Sequence, residues 1–156
     1  MIERIISGGQ TGADQAALRA AKHLGYQTGG WAPRGWRTQA GPAPWLGIDY
    51  GLVQASTSGY AERTALNVKQ SDATLILGYP GSAGCNLTQR LAAGTYKKPW
   101  YWLRLDQDIR NPEEILRDWI FKVEGTVLNV AGNREENHPG IGELVEAILG
   151  EALIPF

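Results

Sequence analysis

The chain predicts an α/β domain of Rossmann-like type, a parallel sheet with helices on both faces, and three observations carry that expectation. Short apolar runs alternate with helix-patterned stretches along the whole sequence. Two of the junctions between them are glycine-rich, Gly8-Gly9-Gln10-Thr11-Gly12 and Pro80-Gly81-Ser82-Ala83-Gly84. The clearest strand, Ala73-Thr74-Leu75-Ile76-Leu77-Gly78, is apolar along most of its length, as suits a strand covered on both faces of a parallel sheet.

Each element follows from local chemistry. Arg4-Ile5-Ile6-Ser7 reads as a strand running into the first glycine turn, and Ala13 to Leu24 as an alanine-rich helix closed by Gly25. Gln27 to Trp31 reads as a second strand. Ala32 to Gly59 is rich in Pro, Gly and Trp without a sustained period, and reads as a long ordered loop with one or two short elements, a length that is more often functional than idle. One or two helical turns are expected up to Gln70. After the Ala73–Gly78 strand and the second glycine turn, a helix is expected over Asn86 to Ala93, with Asn86 as a possible cap and Gly94 as its stop. Pro99 to Leu103 is the next strand. Asn111-Pro112-Glu113-Glu114 then supplies a cap, a proline for the first helical position and two acids for the positive helix end. Ile115, Leu116, Trp119, Ile120 and Val123 mark that helix's buried stripe. Thr126 to Val130 is the last strand, and Ile141, Leu144, Val145, Ile148 and Leu149 mark a closing amphipathic helix.

The totals bound the function. A length of 156 residues suits one domain over the whole chain, residues 1–156, and 43% apolar with 20% charged residues is a globular composition. A net charge of −1 provides no broad positive field, so no nucleic-acid partner is expected and any bound anion must be met locally. No run is apolar enough to span a bilayer, and Met1 leads into Ile2-Glu3-Arg4 and a strand-like segment, which sets the expectation of a cytoplasmic protein without membrane attachment. Cys85 is the single cysteine, so neither an intramolecular disulfide nor a cysteine-rich metal site is expected, and a buried structural thiol is the reading for it. His23 and His138 add no metal site.

Three loops are candidates for ligand contact. At Gly8, Gly9 and Gly12 a strand turns into a helix, where backbone amides can approach an anion, with Ser7 and Thr11 as hydroxyl donors and Gln10 between them. Asp14 either complements the helix dipole or bonds a ligand hydroxyl or amine. Gly81, Ser82, Ala83 and Gly84 form a second such turn, with Thr88 one helical turn further. Gly132 and Arg134 follow a third strand, and the arginine is a natural fork for phosphate. Arg34 and Arg63 are further candidates. Trp31 and Trp36 could stack on a flat ring or pin the loop, Trp45 could face another subunit, and Trp100, Trp102 and Trp119 read as core. No Ser-His-Asp order or carboxylate pair stands near the glycine turns, so no catalytic residue is expected.

Five blocks, Ile6-Ser7-Gly8-Gly9-Gln10-Thr11-Gly12-Ala13-Asp14, Gly29-Gly30-Trp31-Ala32-Pro33-Arg34-Gly35, Tyr60-Ala61-Glu62-Arg63-Thr64 with Asn67-Val68, Ser71-Asp72-Ala73-Thr74-Leu75 and Leu128-Asn129-Val130-Ala131-Gly132, together resemble the molybdenum carrier family, the molybdenum cofactor carrier proteins. The resemblance spans nearly the whole chain in order. It implies a Rossmann-like fold related to the lysine-decarboxylase-like, cytokinin-activating group, a homo-oligomer (tetramer or dimer), and a groove for the molybdenum cofactor, Mo-molybdopterin. That cofactor is a flat pterin with a phosphate, its metal held by its own dithiolene sulfurs. The resemblance places Gly8 to Gly12 and Gly81 to Gly84 on the phosphate side, with Arg63, Thr64, Asn67 and Thr88 nearby. It departs at Thr38-Gln39-Ala40-Gly41, where family members often show an acidic pair, and at Ala83-Gly84-Cys85, where a Gly-Gly-Thr turn is common.

The implied role is a non-catalytic carrier or storage protein, with molybdenum enzymes or cofactor-synthesis proteins as partners. Two alternatives use the same loops: a nucleotide sensor, or a nucleoside-monophosphate phosphoribohydrolase. The related hydrolases use an arginine with a glutamate shortly after the glycine turn, and no glutamate stands between Arg63 and Glu113 here.

Overall fold

A computed structural model describes the whole chain, Met1 to Phe156. Five strands, β1 (Arg4–Ile6), β2 (Gln27–Gly29), β5 (Ala73–Gly78), β6 (Trp100–Arg104) and β7 (Val127–Gly132), form one sheet in the order β2-β1-β7-β5-β6. Every pairing in it is parallel. The last strand of the chain therefore occupies the centre of the sheet, with Asn129 in register with Ile6 on one side and Thr74 on the other. A small second sheet pairs β3 (Trp31–Ala32) with β4 (Val53–Gln54).

The helices are α1 (Ala13–His23), α2 (Trp45–Tyr50), α3 (Tyr60–Lys69), α4 (Ala83–Arg90), α5 (Pro112–Lys122) and α6 (Ile141–Ala152), and α4 runs on into a π-helical turn over Leu91–Thr95. Because side chains alternate across a strand, β5 turns Leu75 and Leu77 to one face, and β7 likewise Leu128 and Val130. These join α1, α5 and α6 in the main core. The alanines at positions 13, 16, 17, 20 and 21 let α1 lie close to the sheet and to α6. The opposite face carries α3 and α4 over Thr74, Ile76 and Asn129, and is more polar. No helix is long and apolar enough to cross a membrane.

Several expectations need correction. The strand read over Gln27 to Trp31 is two strands in two sheets, broken at Gly30. There φ is 125° and a side-chain carbon would lie 2.2 Å from the Ser7 carbonyl oxygen, so only glycine makes the break. The long loop after it is held down by α2, β4 and a buried cluster of Leu18, Ala32, Ala43, Leu46 and Leu52, with Trp36 packed on it. Trp36 pins this loop: its ring lies against Gly47. The helix ending near Gln70 is longer than the expected one or two turns, spanning Tyr60–Lys69. α4 begins at Ala83 with Ser82 as its cap, ahead of the expected Asn86, because the Ser82 hydroxyl accepts the Cys85 N–H at 3.2 Å. Asn111 precedes α5 in a left-handed conformation without a side-chain cap bond. The last strand runs on to Gly132. Trp100, Ile115 and Leu144 are exposed, and Trp102 and Trp119 half-buried, since β6 is an edge strand and α5 and α6 each show one side to solvent.

Gly132 shows how tightly β7 is seated. A side-chain carbon there would lie 2.1 Å from the Leu77 carbonyl oxygen and 2.4 Å from Ala13 Cβ. Both neighbours are fixed, one by β5 and one by α1. Gly132→Ala is expected to destabilise the fold by about 2–3 kcal/mol in urea unfolding, whereas Gly94→Ala, which meets nothing within 4 Å, is expected to leave the midpoint nearly unchanged.

Candidate functional site

From β1 the chain crosses to β2 on one side of β7, and from β5 to β6 on the other. Where connections diverge in this way, a crevice opens beyond the carboxyl ends of the strands. A groove of about 500 Å³ lies there. Gly8, Gln10 and Asp14 line it after β1, Gly81 to Gly84 with Leu87 and Thr88 after β5, and Asn129, Ala131, Gly132, Arg134 and Asn137 along and after β7. Tyr60, Ala61, Arg63, Thr64 and Asn67 of α3 form the remaining wall.

The two glycine turns meet at this groove but differ in state. In the first, the Gly9 N–H donates to Ser7 Oγ (3.3 Å), the Gln10 N–H to Asp14 Oδ2 (3.1 Å) and the Thr11 N–H to Gln10 Oε1 (3.0 Å). Ala13 donates its N–H to the Asn133 carbonyl at 3.1 Å. Ser7 donates its hydroxyl to the Asp14 carbonyl, and Thr11 donates its own to Glu136. The glycines serve packing: Gly9, at φ 74°, abuts Leu46, and Gly12, at φ 81°, abuts the Asn133 carbonyl and the Glu135 amide. Ser7, Gly9, Thr11 and Gly12 thus lie behind the groove wall, and of the amides expected to await an anion in this turn those of Gly9, Gln10 and Thr11 are taken within the protein, while Gly8 and Gly12 keep theirs unpartnered.

An ion pair braces this turn. Arg63 Nη1 lies 2.9 Å from Asp14 Oδ2, with side-chain exposures of 12% and 4%. The guanidinium covers Gly8, where a side-chain carbon would fall 1.7 Å from Nη1. Burial pushes the Asp14 carboxyl above its ordinary range, and the charge and hydrogen bond of Arg63 pull against that shift.

The second turn is open. The amides of Gly81, Ser82, Ala83 and Gly84 have no partner within the protein, and the first satisfied N–H of the segment belongs to Cys85. Gly81, at φ 90°, has empty space where a side chain would be. The free N–H groups and the α4 dipole present a partial positive charge at the groove.

The other expected residues divide sharply. Asn67 spends its amide on structure, accepting the Trp31 N–H and donating to the Trp31 and Arg63 carbonyls, so it fixes β3 on α3. The Thr64 and Thr88 hydroxyls bond the carbonyls one turn back, of Tyr60 and Gly84. Arg134 donates to Gln39 at 2.7 Å and lies over the Tyr60 ring, as do Arg37 and Arg63. Trp31 and Arg34 do not line the groove; Trp31 borders a separate shallow cleft beside Arg4 and Gly30, and Arg34 is exposed. Cys85 is buried, and its thiol is pushed up to about 11 by that burial, so it stays protonated at neutral pH. Sequence reasoning missed Tyr60, Leu87, Asn129 and Asn137. Asn129 alone carried a signal, a polar side chain inside an apolar strand.

Replacing Arg63 by methionine should leave Asp14 buried without its counterion. Arg63→Met is expected to cost about 3 kcal/mol at pH 7 in urea unfolding. The deficit should shrink as pH falls from 7 towards about 4, because a carboxyl held above its ordinary pKa keeps its proton in the folded state after the unfolded chain has lost it, so stability drains away as pH rises. An unchanged deficit across that range would exclude Asp14 as the source.

A family profile described as the circularly permutated YpsA SLOG family matches residues 5–153. A crystal structure of a Syntrophus aciditrophicus SB protein named "putative molybdenum carrier protein" is similar at 37% identity and a TM-score of 0.87, covering 97% of this chain and 95% of that one. No curated protein sequence matches the chain. The permutation is visible in the sheet: counted from β7, then β1 and β2 to one side and β5 and β6 to the other, the strands take the usual Rossmann order, and the strand that would open that series here closes the chain. With 149 of 156 residues matched, the chain belongs to the circularly permutated YpsA SLOG family.

Proposed function

We propose that the groove binds a flat heterocycle carrying a phosphate, and that the molybdenum cofactor is this ligand, held and handed on unreacted. The observation that carries the reading is the row of four unpartnered amides, Gly81 to Gly84, at the positive end of α4. The Ser82 hydroxyl can add a donor, and Arg134 supplies a further positive charge on the groove wall. The similar Syntrophus aciditrophicus protein, named for molybdenum carriage, points to the same class of cargo.

The cargo suits the lining. No three His, Cys, Asp or Glu side chains gather into a metal site, and the pterin's own dithiolene holds the molybdenum when the cofactor is carried. The amide side chains of Gln10, Asn129 and Asn137 offer the mixed donors and acceptors that a pterin edge needs. Recipients among molybdenum enzymes or cofactor-synthesis proteins, and a homo-oligomeric, cytoplasmic carrier, belong to the same proposal.

The hydrolase alternative needs a carboxylate free to move a proton. Asp14 is the one carboxylate in the groove lining, and its ion pair with Arg63 holds it as a buried counterion. Incubation with AMP should release no free adenine beyond the uncatalysed background; steady release would favour the hydrolase.

The cradle itself is tested by replacing one N–H with a group that cannot donate. Ala83 is the first helical residue, and Ser82 before it is already extended, so proline is tolerated there. Ala83→Pro should weaken binding of the molybdenum cofactor about 10-fold, the worth of one charge-assisted hydrogen bond, with the melting temperature held. Undiminished binding would place the phosphate elsewhere.

A further inference from the structure

Two side-chain hydrogen-bond donors in the groove wall have no partner, and both belong to residues that bond Asp14, Gln10 through its backbone N–H and Arg63 through Nη1. Gln10 is 5% exposed. Its Oε1 receives the Thr11 N–H at 3.0 Å and the Gln39 N–H at 2.8 Å. Two backbone donors on one oxygen fix the orientation of the carboxamide, so the nitrogen on its other side is a donor. That nitrogen, Nε2, is buried and bonded to nothing. Arg63 Nε is in the same condition. Both residues meet at Asp14 Oδ2, which takes the Gln10 N–H at 3.1 Å and Arg63 Nη1 at 2.9 Å, while Asp14 Oδ1 makes no hydrogen bond within the protein. A buried donor left unpartnered is costly, and residues lining a groove can have that cost relieved by an occupant.

We propose that this corner recognises a lactam edge, a ring N–H beside a ring carbonyl, on the heterocycle. The carbonyl oxygen has two lone pairs and accepts from Gln10 Nε2 and Arg63 Nε, and the adjacent ring N–H donates to Asp14 Oδ1. A second oxyanion does not fit, because the Asp14 carboxylate stands beside the donors and repels it. An amino-substituted ring fits less well: its ring nitrogen offers one lone pair to two donors, and its amino group turns a donor towards the Gln10 amide. The chemical class selected is therefore an oxo-purine or a pterin in its oxo form, against an adenine-type ring. This inference rests on the phosphate-cradle reading, since that anchor brings the ring to this wall.

Calorimetric titration of the wild-type protein with GMP, IMP and AMP separates the two claims, because all three carry the same phosphate and differ at the ring edge. GMP and IMP are expected to bind at least about 10-fold tighter than AMP. O6-methyl-GMP, in which the lactam is abolished, should bind as weakly as AMP. Gln10→Glu keeps an oxygen for Thr11 and Gln39 but deletes the NH₂ donor, and should bring the GMP to AMP ratio close to one; the wild-type ratios stand as the test if that variant does not fold. Equal affinities, or tighter AMP, would overturn the lactam corner and leave the cradle standing, with Ala83→Pro weakening all three ligands alike. Absence of binding by all of them would overturn both.

Discussion

The buried contact between Asp14 and Arg63 organises one half of the groove. Asp14 stands in the first turn of α1 and Arg63 in the first turn of α3, helices on opposite faces of the sheet, so their contact joins the two layers across the carboxyl end of β1. The same carboxylate oxygen holds the Gln10 amide, and the same guanidinium lies against Gly8. Hence Gly8 cannot carry a side chain, for a reason unrelated to phosphate. A pair this deep gains less than its Coulomb energy suggests, because both ions lose their water. Its consequence is geometric: it fixes where α3 stands, and α3 supplies a wall of the groove.

The two glycine turns show that one local pattern can serve two ends. Each follows a strand, precedes a helix and contains a positive-φ glycine. In the first, neighbours from the 32–59 segment and from the loop after β7 pack onto Gly9 and Gly12, and side chains of Ser7, Gln10 and Asp14 take three of its amides. In the second, Gly81 and the start of α4 face open space, and the amides remain available. Exposure of N–H groups, more than glycine content, sets the anion-binding pole of the groove.

Circular permutation explains why the groove assembles from remote parts of the sequence. β7 lies between β1 and β5, so residues 129–137 stand between positions 8–14 and 81–88. Gly132 lets this central strand fit against both Leu77 and Ala13. The polar face of the sheet points the same way: Asn129 donates to Thr74 under α4, at the floor of the groove, while the opposite face is filled with leucine, valine and alanine.

Local chemistry was enough to read the alternation of strands and helices, the buried Ala73–Gly78 strand, the amphipathic α6 and the inert Cys85, since each depends on periodicity, propensity or residue count within a short window. The five family blocks extended that reading to the fold and the family. Which residues share the groove was legible for Gln10, Arg63, Gly81 to Gly84 and Arg134. It was not legible that Ser7, Thr11 and Asn67 spend their polar atoms internally, that Trp31 and Arg34 stand away from the groove, or that Tyr60 and Asn137 border it. Distant partners engage Asn67, through Trp31 36 positions away, and Thr11, through Glu136 125 positions away, while Ser7 is engaged within the folded turn by the Gly9 amide and the Asp14 carbonyl. A sequence shows which atoms can donate or accept; only the packed chain determines which of them are already engaged, because engagement depends on distances that no local window contains.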